Sequence, residues 1–278
     1  MKKTSLNIKM HYNKMGKAEK QIADWIEKNP GKIISLSIVE LAEQCKCSEA
    51  TIVRFSKRLG LSGYQELKIS LASETDTSTV NANITSADTA YEMFEKVTND
   101  IYFSLELTKK SLDPKSMSDA SKIICRANKI VIFGLGNSAS IATDASHKFL
   151  RSGLNCVAYS DNHMQVIAAS HLKEGDVAIA ISHSGSSKDI VDALEIAKEH
   201  GAATITITNK GKSPVLKFSD IVLSTSSSET TYNILALNSR IAQLAIIDAL
   251  YFYVVYNLSE KAFESIKDTE RSLLSKKY

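Results

Sequence analysis

Apolar residues recur at helical spacing from Lys17 to Asn29, at Ala18, Ile22, Trp25 and Ile26, and the run stops before Pro30, which predicts a first helix. A second, shorter one follows Ser37, with Ile38, Leu41 and Ala42 on one face, and ends near Gln44. Ser48 then stands where an N-cap belongs, its hydroxyl able to accept from the free amides of the next turn. A third helix runs from there to Leu59, and Gly60 closes it as the residue just past a helix end that tolerates positive φ. Residues 73–88 turn polar and β-branched with no sustained apolar period, so they read as a linker. Helical periodicity returns from Ala90 to Leu112 through Tyr91, Phe94, Val97, Ile101 and Leu105, and Pro114 opens another helix reaching about Ala127.

Beyond that point strands and helices alternate. Strands are expected at Ile130–Phe133, Cys156–Tyr159, Val177–Ser182, Thr204–Thr208 and Ile221–Leu223, with helices at 138–151, 163–171 and 187–200. Continuous apolar strands separated by helices imply a parallel sheet covered on both faces. A long helix from about Tyr232 to Leu258 and a charged C-terminal helix complete the pattern, and no internal repeat is visible. The fold class is therefore α/β in two parts. An N-terminal all-α helix-turn-helix domain spans residues 1–72. After the linker, a C-terminal doubly wound parallel-sheet domain with leading and trailing helices spans residues 89–278.

Composition narrows this further. With 278 residues, 44% hydrophobic and 23% charged, the chain is large enough for two domains with real cores and is neither fibrous nor disordered. The net charge of +3 hides an asymmetry: residues 1–70 hold 13 Lys and Arg against 7 Asp and Glu, whereas residues 71–278 hold 21 against 24. A basic module precedes an acidic one, as expected if only the first meets a polyphosphate. The apolar stretch Ile241–Tyr256 is interrupted by Gln243 and Asp248 and is shorter than a bilayer span, so it reads as a buried helix. Lacking a signal-peptide apolar run, the chain is expected in the cytoplasm, without a membrane partner. Cys45, Cys47, Cys125 and Cys156 have no paired metal-ligand spacing and read as reduced, small apolar side chains; no metal or cofactor is expected.

The chemistry begins at the third helix. Ile52, Phe55 and Leu59 share an inward stripe, which leaves Thr51, Arg54 and Arg58 on an outward row, with Ser48 at the helix start and Lys57 beside them. A recognition helix presents such residues to base edges and phosphates of double-stranded DNA. Arg54 is the candidate for base readout. The segment LSIVELAEQCKCSEATIVRFSKRLGLSGYQELK resembles the N-terminal domain of RpiR-type bacterial transcriptional regulators, a resemblance covering about the first 70 residues.

The first strand ends in Gly134-Leu135-Gly136-Asn137-Ser138 and enters a helix. Glycines admit an anion close to the backbone, and a helix N-terminus offers amides and a positive dipole end. Alone this loop fits two ligands, because Ala139 completes a G-x-G-x-x-A dinucleotide pattern and Asp161 follows the second strand where a ribose-binding acid belongs. The third strand ends in Ser182-His183-Ser184-Gly185-Ser186-Ser187 before another helix, and its hydroxyls at 182, 184 and 187 form a compact cradle for a phosphate monoester that a dinucleotide reader does not need.

These segments resemble the sugar isomerase (SIS) domain from about Asn128 to Leu258, and the pairing with the first domain is the RpiR-type arrangement. The resemblance implies that Ser138, Ser182, Ser184 and Ser187 hold a sugar phosphate, with Gly136 and Asn137 in the first loop. It also places Glu229 near the sugar, while His183 and His163 are candidates to face it. The expected function is a DNA-binding repressor-type regulator, not an enzyme. Its operator affinity would be set by a phosphorylated sugar, and it would act as a homodimer or homotetramer because one helix-turn-helix reads too few bases. The alternatives are an aldose-ketose phosphosugar isomerase, with Glu229 or a histidine as general base, and a dinucleotide-sensing repressor.

Overall fold

The computed structural model describes residues 4–29, 32–34, 36–72, 74, 84–226, 237–274 and 276. The described chain divides into two compact units, one built on residues up to 100 with 211–213, the other on 101–210, 214–226 and 237 onward.

The first unit contains α1 (Thr4–His11), α2 (Lys17–Lys28), α3 (Ile38–Gln44), α4 (Glu49–Arg58) and α5 (Tyr64–Ala72). Its core joins Ile8 of α1, Ile22 and Ile26 of α2, Leu41 of α3, Ile52 and Phe55 of α4, and Leu67 and Leu71 of α5. α2, α3 and α4 match their predicted spans to within a residue. α1 and α5 were not foreseen. Only Thr4 and Ile8 of α1 are buried, and the Thr4 and Ser5 amides donate to the Glu74 carboxylate, so a residue seventy positions away caps this helix.

Capping motifs bound α3 at both ends. Ser37 and Glu40 form a capping box at the start of α3, the Ser37 hydroxyl accepting from the Glu40 amide at 3.2 Å and Glu40 accepting from the Ser37 amide at 2.8 Å. At its end the Lys46 amide donates to the Glu43 carbonyl and the Cys47 amide to the Ala42 carbonyl, a Schellman turn. Lys46 holds the left-handed position of that turn, with φ of 50°. Gly60 holds the equivalent position after α4 with φ of 84°, and the amides of Gly60 and Leu61 donate to the carbonyls of Lys57 and Ser56. A side chain in the left-handed region costs about 1 kcal/mol, partly offset by the larger unfolded-state entropy of glycine. Lys46→Gly is therefore expected to stabilise this unit by about 0.5 kcal/mol, raising its thermal midpoint by about 3 °C. An unchanged or lower midpoint in a calorimetric scan would show that Lys46 sits there without strain.

The second unit opens with the C-terminal half of α6 (Ala90–Ser111) and with α7 (Pro114–Arg126), capped by Asp113, whose carboxylate accepts from the Ser116 amide. There follow β1 (Ile130–Gly134), α8 (Asn137–Arg151), β2 (Cys156–Tyr159), α9 (Asn162–Ala169), β3 (Val177–Ile181), α10 (Lys188–Glu199), β4 (Ala203–Asn209) and β5 (Ile221–Thr225). The helices α11 (Leu237–Leu258) and α12 (Glu260–Leu274) close the chain. All strand pairs are parallel, in the order β2-β1-β3-β4-β5, with Ile130 beside both Cys156 and Val177.

Alternation along the strands separates two cores. Ile130, Ile132, Ile179 and Ile205 face α7, α8 and α11, where Ile124, Phe149, Ile246 and Leu250 complete one cluster. Val131, Phe133, Ala178 and Ala180 face α9 and α10, packing with Ala168, Ile190 and Leu194. Chain direction reverses its progress across the sheet between β1 and β3, a topological switch point.

Three expectations change. β5 extends to Thr225, because Thr225 is fully buried and its hydroxyl donates to the Thr208 carbonyl. The expected start of the long helix at Tyr232 lies outside the described residues; α11 is described from Leu237, and although Ser239–Leu258 is long and apolar enough to cross a membrane, Ile246, Ile247, Leu250 and Val254 of it are buried in the sheet core. The apolar stripe of α6 is not a buried face: Tyr91 and Phe94 are exposed, and the buried positions are Ser104 and Thr108.

Candidate functional site

α4 carries the candidate DNA-reading residues. Ser48 is its N-cap and is exposed, its hydroxyl accepting from the Thr51 amide at 3.3 Å. Arg54 and Lys57 are exposed. Thr51 corrects the expectation of an outward row: it is only 9% exposed, and its hydroxyl lies 2.8 Å from Ser48 Oγ and 3.2 Å from Arg54 Nη2. Thr51 lies one turn before Phe55, four positions on, so it shares the edge of the buried face. Arg58 is exposed but engaged. Its Nη1 donates to the Lys14 carbonyl at 2.7 Å, and its Nε pairs with Glu19 at 3.0 Å. The sequence did not single out Glu19, because an acid in the first turn of α2 reads as an ordinary helix-start charge; it caps Gly16 and fixes Arg58 together. A shallow cleft lined by Lys17, Glu19, Thr51, Arg54 and Arg58 lies beside this face.

The C-x-C pair carries no such chemistry. Cys45 is buried and burial pushes its thiol up to about 12; burial also raises the Cys47 thiol, so both stay protonated at neutral pH. No group of three or more potential metal ligands occurs among the described residues.

In the second unit the loops after β1 and β3 leave neighbouring strands on either side of the switch point, where doubly wound sheets bind ligands. Gly134 ends β1 with no room for a side chain, since a Cβ there would meet the Ser138 carbonyl oxygen at 2.6 Å. Gly136, the N-cap of α8, has φ of 54° and ψ of −125°, a glycine conformation. The amides of Ser138 and Ala139 are taken by the carbonyls of Leu135 and Gly136. Of the side chains in this loop, Asn137 is exposed and Ser138 half-buried.

The β3 loop is more constrained. Ser182 is buried, and its hydroxyl accepts from the Gly185 amide at 3.1 Å. The Ser184 hydroxyl accepts from the Ser186 amide at 3.3 Å. Each keeps its own proton to donate. Ser187 is the N-cap of α10, but its side chain makes no capping bond. The His183 carbonyl accepts from the Asn209 amide at 3.0 Å and from the Thr208 hydroxyl at 3.3 Å, which pins the loop to β4. His183 is half-buried beside the serines. Gln165, missed from sequence because it sits inside a helical run, donates to the carbonyls of Gly134 and Tyr159 and ties α9 to the ends of β1 and β2.

Asp161 accepts from the Met164 amide at 2.9 Å as the N-cap of α9, a role that the dinucleotide expectation did not include. His163 is exposed in the first turn of that helix. Glu229 lies outside the described residues. The loop residues thus gather hydroxyl donors, and Lys188, the nearest lysine in sequence, pairs with Asp192 at 3.0 Å.

Comparison with known proteins places this architecture. Residues 2–78 match the helix-turn-helix domain of the rpiR family, and residues 123–253 match the SIS domain. An HTH-type transcriptional regulator of Caldanaerobacter subterraneus subsp. tengcongensis is 39% identical over 262 residues, covering 94% of this chain and 93% of the relative. The chain belongs to the rpiR family of HTH-type transcriptional regulators. A further member, HexR of Pseudomonas aeruginosa, is 34% identical over 252 residues, 90% of this chain and 88% of its own length. The fold of this rpiR-family chain also matches the Vibrio vulnificus NanR protein complexed with ManNAc-6P, with a TM-score of 0.81 at 22% identity over 99% of this chain and all of NanR.

Proposed function

We propose that residues 1–72 bind double-stranded operator DNA through Ser48, Arg54, Lys57 and Arg58 of the α4 region, and that residues 89–278 hold a phosphorylated sugar that sets operator affinity. The observation that carries the sugar half is the pair of loops at the switch point, with donating hydroxyls at Ser182 and Ser184, Ser138 and Ser187 beside them, and the open first turn of α10. Neutral donors and helix dipoles suit a phosphate monoester. NanR, which shares the fold, is complexed with a sugar phosphate, which supports the same ligand class here. Gly136, Asn137, His183 and Glu229 complete the proposed set around the sugar.

The protein regulates without turning its ligand over; relatives that cover 94% and 90% of the chain are named as transcriptional regulators, and the isomerase alternative requires turnover of an aldose phosphate. It acts in the cytoplasm, where operator DNA is, as a homodimer or homotetramer. Exposed Tyr91, Phe94, Tyr102 and Phe103 on α6, with Phe252 and Tyr256 on α11, support self-association. Ligand and operator are coupled by about 1–3 kcal/mol, reciprocally, so calorimetry must find a different sugar affinity once operator is bound.

The direct test is a thermal-shift panel of sugar phosphates on the wild-type chain and on Ser184→Ala. A ligand at a hundred times its dissociation constant adds about 2.7 kcal/mol to stability. Losing a hydroxyl that donates to a charged oxygen costs about 1.5–3 kcal/mol, so Ser184→Ala should bind ten- to a hundredfold more weakly. Dinucleotide binding that survives Ser184→Ala, with no response to any sugar phosphate, would favour the dinucleotide-sensing alternative instead.

A further inference from the structure

Three side chains at the start of α4 form a hydrogen-bonded chain that begins at a pure donor. A guanidinium only donates, so Arg54 Nη2, 3.2 Å from Thr51 Oγ1, makes that oxygen an acceptor. Thr51 is only 9% exposed, so the arrangement that pairs its own hydroxyl proton within the protein is the one in which it donates. Ser48 Oγ, at 2.8 Å, is the oxygen in reach. Ser48 Oγ also receives the Thr51 amide at 3.3 Å, so its two acceptor positions are both used by Thr51. Ser48 itself is exposed at the helix start, and what it has left to offer is its proton.

We propose that Thr51 touches no DNA and is instead a positioning residue, aiming the Arg54 guanidinium and holding Ser48 as a hydrogen-bond donor toward an acceptor on the operator, a base acceptor or a phosphate oxygen. This rests on α4 being the DNA-reading helix. A freely rotating arginine samples many geometries, whereas a guanidinium with one nitrogen anchored presents its remaining donors in a fixed fork, the form that discriminates guanine from the other bases. Thr51 thus contributes to sequence preference without contributing to the electrostatic affinity, which depends on the cations alone.

The experiment uses the full chain and a pool of randomised duplexes. Wild type, Arg54→Ala, Thr51→Val, Thr51→Ala and Thr51→Ser each select from the pool, and their base preferences are compared position by position. Thr51→Val keeps the shape and the methyl group but lacks the hydroxyl. It should relax preference at the same positions as Arg54→Ala, lowering discrimination there about tenfold, while its affinity for unselected DNA and the salt dependence of that affinity stay at wild-type values. Thr51→Ser should keep the wild-type preference. Should Thr51→Val fail to fold by circular dichroism, Thr51→Ala carries the same expectation. Wild-type preference in a folded variant lacking the hydroxyl would overturn the proposal, as would an equal loss at every position or for unselected DNA, the mark of a purely structural role. A wild-type chain that enriches no sequence would instead bring down the DNA reading on which the proposal rests.

Discussion

Gly134→Ala is expected to abolish the sugar-phosphate response and to lower the thermal midpoint of the second unit by about 3–10 °C. The added Cβ would lie 2.6 Å from the Ser138 carbonyl oxygen and 3.0 Å from both the Ser138 carbonyl carbon and the Ala142 Cβ. Two of these three are backbone atoms, which no rotamer change can move. Either the end of β1 or the first turn of α8 must shift. The end of β1 is tied down, Gly134 by its register with Ile181 and its carbonyl by Gln165. Overpacking of this kind costs about 1–3 kcal/mol, and at about 2–4 °C per kcal/mol the stated drop follows. Because Ser138 is itself one of the displaced residues, the loop loses its geometry even where the protein stays folded. The check is a thermal-shift titration of Gly134→Ala against the sugar phosphate that stabilises the wild type. An unchanged midpoint together with an unchanged ligand shift would mean that the strand-to-helix contact is not what shapes the loop.

Arg54→Ala should weaken binding to a selected palindromic operator about a thousandfold while leaving sugar-phosphate affinity near wild type. A bidentate arginine-to-guanine contact is worth about 1–3 kcal/mol, and a dimer makes it twice. The midpoint of that range, about 4 kcal/mol, is three decades in affinity. Arg54 suits the role better than its neighbours. Lys57 offers a point charge without a fork, and Arg58 is committed to Glu19 and the Lys14 carbonyl. Anisotropy titrations with the operator, beside calorimetry with the ligand, separate the two activities. If the folded variant lost both, residues 1–72 would not be a self-contained DNA-binding domain.

The sequence disclosed what is local and hid what is tertiary. α3 and α4 were legible to within a residue because their signals are close at hand: a capping box at Ser37 and Glu40, an N-cap at Ser48, a left-handed glycine at Gly60. α1 was not legible, because its buried face is only Thr4 and Ile8 and its cap is Glu74. β1 and β3 were legible as continuous apolar runs, while the end of β5 was hidden by Ser224 and Thr225, polar residues that are paired inside the sheet. In the candidate sites the phosphate loops announced themselves through serine and glycine spacing. What stayed hidden was which polar side chains are already spent. Arg58 is held by Glu19, Asp161 caps its helix and Thr51 turns inward, and each fact depends on a partner or a burial that spacing alone does not reveal.

The sheet of the second unit keeps two separate apolar cores, while Ser138, Ser184 and Ser187 lie half-buried in the strand-end loops and Ser182 is buried. Of their side chains, the Ser182 hydroxyl accepts from the Gly185 amide and the Ser184 hydroxyl from the Ser186 amide, both within the loop, and Ser187 makes no capping bond. Drift in ligand preference and retention of the fold are therefore nearly independent tasks for this scaffold. A lineage can move from one effector to another by altering strand-end loops, with the apolar interior untouched, and the constraint on such drift is Gly134, where backbone meets backbone.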